Sequence, residues 1–115
     1  MRFKLIMVSV KQDLSDKLID AAKAAGATGA TIIPARGIGS HDKKTFFGLT
    51  IEGPVDVVLF LVEEHVVDEI LAGITKACNL SEPGVGMAMV LPIDQVIGID
   101  SQLKIFKERA RDQYF

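Results

Sequence analysis

Three features of the sequence predict an α+β fold. Short apolar runs rich in strand formers alternate with segments whose apolar residues recur at helical spacing. Glycine and proline punctuate the junctions between them. The strand–helix alternation then occurs twice, so the chain divides into two similar halves of one compact domain.

Phe3 to Val10 is short and apolar and forms the first predicted strand. Asp13 is placed to cap the helix that follows, whose Leu14, Leu18, Ala21, Ala22 and Ala25 share one face and which Gly26 stops. Thr28 to Pro34 is the second strand, with Pro34 ending its ladder. A long glycine-containing connection comes next, and Val55 to Val62 is the third strand. The second helix runs from about Glu64 to Cys78 on a stripe of Val66, Val67, Ile70, Leu71 and Ile74, with Glu63, Glu64, Asp68 and Glu69 on its solvated face and first turn. A second glycine loop over 79–86 leads into a fourth strand, Gly86 to Leu91. Pro92 and Asp94 turn the chain into a short extra strand, Gln95 to Ile99, and 101–111 is helical. The expected fold is therefore a ferredoxin-like βαββαβ domain over residues 1–100, with a C-terminal helical tail over 101–115.

Composition narrows the function classes. The net charge of −2 gives no broad footprint for nucleic acid. No apolar run approaches the ~18 residues of a membrane span, and Met1-Arg2-Phe3-Lys4 enters a strand with no cleavage pattern, so a soluble cytoplasmic protein is expected. The single cysteine, Cys78, sits among helix-core positions and is expected to be a small buried apolar residue.

The strands carry one further signal. A sheet with helices on one face alone should alternate apolar and polar residues, yet Leu5-Ile6-Met7-Val8 and residues 57–62 are continuously apolar. Something must cover the second face. The C-terminal helix has only a narrow stripe of Leu103, Phe106 and Ala110 among its charges, so sheet-to-sheet association of several copies is the better cover, with the helix as the alternative.

No catalytic constellation emerges, and His41 and His65 lack ligand spacing. What remains is a pair of glycine loops. Gly37-Ile38-Gly39 leaves the second strand and Gly84-Val85-Gly86 enters the fourth. Such loops either make ordinary turns or let main-chain N–H groups converge on an anion. Arg36, beside the first glycine, suits contact with a phosphate or carboxylate, whereas Lys43 and Lys44 suit a solvated surface. Phe46-Phe47 reads either as core at the start of a strand from Phe46 to Ile51 or as an aromatic anchor for a partner.

The blocks Ala25-Gly26-Ala27-Thr28-Gly29-Ala30-Thr31-Ile32-Ile33 with Arg36 to Gly39, Phe46-Phe47-Gly48, and Pro83 to Pro92 with Val96-Ile97-Gly98-Ile99 resemble the PII signalling proteins, the nitrogen-regulatory family. The resemblance covers nearly all of Lys4 to Ile99. It implies a homotrimer with three clefts between subunits that hold adenine nucleotides, in many members with 2-oxoglutarate. It also implies a mobile T-loop, here about 36–53, that regulates a membrane transporter or enzyme. By this likeness Arg36, Gly37, Ile38 and Gly39, with Gly84, Val85, Gly86 and Met87 of a B-loop over about 79–87, are the expected ligand contacts. Lys43, Lys44, Thr45, Phe46 and Phe47 are the expected partner contacts.

The chain departs from the family pattern at identifiable places. Val85 and Met87 stand where typical members have Asp and Lys, Gly98 and Asp100 stand for two arginines, and Ser40 and His41 lie where a glutamine contributes to 2-oxoglutarate binding. The T-loop is short and has no tyrosine. Each charge-assisted contact is worth ~1.5–3 kcal/mol, so losing several favours AMP, ADP or a cyclic nucleotide over ATP. The alternative class is a metal-binding or enzymatic protein on the same trimeric scaffold, which needs His41, His65 or Cys78 to converge.

Overall fold

The computed structural model describes residues 2–38 and 53–99. Its elements run β1 (Phe3–Lys11), α1 (Ser15–Ala24), β2 (Thr31–Gly37), β3 (Gly53–Glu63), α2 (Val67–Cys78) and β4 (Gly86–Pro92). A single 3-10 turn precedes each helix, at Gln12–Leu14 and Glu64–Val66. The four strands form one antiparallel sheet in the order β2-β3-β1-β4, with both helices on one face. The mixed α+β architecture expected from the sequence is thus present in the described residues.

Strand periodicity decides which residues make the core. Ile6, Val8 and Val10 of β1 and Val58, Phe60 and Val62 of β3 alternate onto the helix face and are buried. Leu18 and Ala22 of α1 and Ile70, Ile74 and Cys78 of α2 recur at four-residue spacing and close over them. Each large apolar side chain buried this way contributes ~1.5–3 kcal/mol relative to exposure.

Several expectations are corrected. Asp13 makes no cap hydrogen bond, because it falls inside the 3-10 turn and Leu14 occupies the N-cap of α1. Strand β2 begins three residues later than expected and runs through Pro34, which pairs with Asp56. An edge strand tolerates proline because one row of its N–H groups has no ladder partner. Gln95 to Ile99 is not a strand. No ladder partner lies beside it in the described chain, and Gly98 turns it with φ +87°. Glu63 is not on a solvated helix face. It ends β3, 3% exposed, with Oε2 3.1 Å from Nδ1 of His65, which is itself mostly covered. The helical tail 101–115 and the strand proposed for Phe46 to Ile51 lie outside the described residues.

The second face of the sheet is the notable surface. Leu5 and Met7 of β1, Val57, Leu59 and Leu61 of β3, and Met87 of β4 point away from the helices and are only half-buried. Ile33, Met89 and Leu91 extend the same face at the sheet edges and are exposed. The continuous apolar runs are therefore core on one side and, among the described residues, an apolar surface that no element covers on the other.

Candidate functional site

Register places the two glycine loops. In one row across the sheet Gly86 pairs with Val10, Val10 with Asp56, and Asp56 with Pro34. The end of β1, the start of β3, the end of β2 and the start of β4 therefore share one end of the sheet. Arg36, Gly37 and Ile38 reach it on the β2 edge, and Gly84 to Met87 reach it on the β4 edge. Two strands stand between those edges, so the loops are separated by three inter-strand spacings, roughly 14 Å. They share an end without meeting inside one chain. Gly39 and Lys43 to Phe47 lie outside the described residues.

Local geometry differs between the loops. Arg36 is exposed, and Ile38 is an exposed apolar side chain at the loop root. Gly53, which pairs with Gly37 where the chain returns, has φ +84°. Gly84 has φ +82°, a left-handed value that glycine adopts without steric cost, in a turn where the N–H of Val85 donates to the Glu82 carbonyl. Gly86 has a different reason. A Cβ built there meets the Ser9 carbonyl oxygen and Val10 Cγ1 at 2.7 Å each. Its glycine is accounted for by the close approach of β4 to β1.

The loop end is held from beneath by a polar contact that sequence reasoning missed. Asp56, on the helix face of β3, accepts from the Ser15 hydroxyl at 2.5 Å, and the Gln12 amide approaches its other oxygen at 3.4 Å. Ser15 is buried at the start of α1. Only the register reveals the pair, since the residues lie 41 apart in the sequence. Replacing Asp56 with Ala leaves a buried hydroxyl without its acceptor. We expect that change to cost about 2 kcal/mol, read from a chemical-denaturation midpoint.

Two hollows flank the sheet. One of about 240 Å³ lies beside the start of β2, against Thr28, Gly29, Ala30, Thr31, Leu59 and Leu61, and so away from the loop end that Gly37 and Gly53 mark. Another of about 420 Å³ lies between α2 and the start of β4, against Leu71, Thr75, Leu80 and Met87. A larger concavity of about 480 Å³, beside Arg2, Lys4 and Asp94, is at the other end of the sheet and far from both loops. Size alone therefore does not mark the site here.

Of the residues proposed for metal binding, His41 lies outside the described residues, and His65 and Cys78 do not gather. His65 precedes α2 and Cys78 ends it, about 20 Å apart at 1.5 Å per residue. Burial pushes the Cys78 thiol up, with Lys17 offsetting this in part, so it packs as an apolar group.

A four-stranded antiparallel sheet, two helices on one face and a long connection from an edge strand to a central one define the class: a double βαβ domain that presents its loops at one end. The family model described as nitrogen regulatory protein P-II matches residues 3–102, and the chain belongs to that family. Among solved structures it is similar to a protein described as PII-like and signaling, from Thermus thermophilus. That match has a TM-score of 0.61 and 26% identity over 81% of this chain and 87% of the other. Among curated proteins none matches the sequence. The family and this neighbour support a role in signalling and regulation. No helix among the described residues is long and apolar enough to cross a membrane.

Proposed function

We propose that this is a homotrimeric PII-like regulator that senses a small effector, an adenine nucleotide, in clefts between subunits and controls a partner through the loop over 36–53. The observation that carries this reading is the placement of both glycine loops at one end of the sheet on opposite edges. One chain supplies two half-sites facing outward. A ring of copies joins the β4 edge of one to the β2 edge of the next and completes each site.

The uncovered apolar face supplies the driving force for that ring. Main-chain amides of Gly37, Gly39, Gly84 and Gly86, with Val85, Met87 and Ile38 around them and Arg36 as the cation, would hold the phosphate. Among the described residues few cations stand at this end, which favours AMP, ADP or a cyclic nucleotide over ATP.

Ligand contacts at the root of the loop would favour one arrangement of Lys43, Lys44, Thr45, Phe46 and Phe47. The effector then alters partner affinity by its differential binding to two states, typically ~1–3 kcal/mol. A membrane transporter or enzyme as the partner rests on likeness to the family. Calorimetry with AMP, ADP, ATP and cyclic AMP tests the sensing half. Heat with AMP or ADP exceeding that with ATP is expected, and no heat with any of the four removes it.

A further inference from the structure

We propose that Lys11 is a ligand-contacting cation of the nucleotide site, supplied by β1 to the glycine loop of β4. The inference rests on the nucleotide reading above and names a residue that no sequence motif singles out. Three observations carry it. Lys11 is the last residue of β1, exposed, and one residue beyond Val10, which pairs with Gly86. Adjacent strands lie about 4.8 Å apart, so Lys11 stands level with Val85 across the ladder.

The contact at Gly86 is so close that a Cβ there would meet Ser9 and Val10 at 2.7 Å, which presses the entry to β4 onto this end of β1. The loop and the lysine are thus held together by the same packing. Charge completes the case. Position 87, immediately after the second Gly-x-Gly, is methionine, so the loop brings no cation of its own. On the strands at the loop end of the sheet the described cations are Lys11 of β1 and Arg36 of β2, with β3 between them, while Lys17 of α1 acts on Cys78 at the end of α2.

Of the described carboxylates nearby, Asp56 already accepts from Ser15 and Gln12, Asp13 lies in the 3-10 turn beyond Lys11, and Glu82 lies across the turn from Val85. An ammonium on a flexible stem suits an anion whose position is fixed by main-chain amides, because it acts as a point charge without demanding a planar geometry. Lys11 would therefore meet the phosphate from the β4 side of the cleft and Arg36 of the neighbouring copy from the β2 side.

The test is calorimetry of the full-length wild type, Lys11→Gln and Lys11→Arg with ADP, followed by competition of adenosine against ADP. We expect Lys11→Gln to weaken ADP about tenfold, to leave adenosine unchanged, and Lys11→Arg to restore ADP to within about threefold. Equal ADP affinity in Lys11→Gln and wild type would overturn the assignment while leaving the nucleotide reading intact. Parallel loss of adenosine and ADP would overturn it too, since it would show that the lysine shapes the pocket rather than meeting the phosphate. Failure of the wild type to bind ADP would remove the nucleotide reading and this inference together.

Discussion

Gly86→Ala is expected to lose about 3 kcal/mol of stability, or to leave no foldable protein, although it adds a single methyl group. The added Cβ would lie 2.7 Å from the Ser9 carbonyl oxygen, 2.7 Å from Val10 Cγ1 and 3.1 Å from Leu80 Cδ2. The two closest of these neighbours cannot give way cheaply. The first is backbone in β1, which is paired on both sides, by β3 and by β4. The second belongs to a fully buried core side chain. Moving either disturbs the centre of the sheet.

Gly29→Ala is the control, because a Cβ at that position meets nothing within 4 Å and the backbone is not left-handed. It should stay within about 0.5 kcal/mol of wild type. Urea denaturation of the three proteins reads the difference. Equal midpoints for Gly86→Ala and wild type would show that β4 does not approach β1 as closely as described.

The same comparison shows what a sequence reading can and cannot reach. Helices and central strands were legible because their signal is periodic. Leu18, Ala22, Ile70 and Ile74 repeat at helical spacing, and apolar runs with turn residues at both ends mark β1 and β3. Edge positions were less so. Thr28 to Ala30 look like strand by composition but precede the β2 ladder, and Gln95 to Ile99 have strand composition with no neighbour to pair with among the described residues. A strand is defined by its partner, and partners are not written locally.

The candidate site divides the same way. Glycine spacing pointed to both loops, but only register shows that they share an end of the sheet and occupy opposite edges. Ser15 with Asp56 and Lys11 beside Gly86 were invisible for that reason. Each depends on which residues of distant segments are level with one another.

Met7→Asp is expected to convert a trimer into single chains while leaving the fold of each chain nearly intact. Met7 lies at the centre of the uncovered face, paired with Leu59 on one side and Met89 on the other. In a single chain it is half-buried, so a carboxylate there keeps access to water and costs the fold little. In a ring of copies closed over that face, the same carboxylate would be buried among leucines and methionines with no partner. An effective penalty of several kcal/mol would then recur at every copy, against an association driven by apolar burial.

Light scattering should therefore report three times 12.4 kDa for the wild type and 12.4 kDa for Met7→Asp at the same concentration. The circular dichroism of the two proteins should agree. In the proposed assembly the nucleotide site depends on the same event, because each half-site would open toward a neighbour and a lone chain would offer only one wall. Met7→Asp should lose adenine nucleotide binding although residue 7 stands midway along β1, four residues from the lysine that ends it. A variant that stays trimeric, or a monomer that binds with wild-type affinity, would separate the pocket from the assembly and leave the paired-edge model without support.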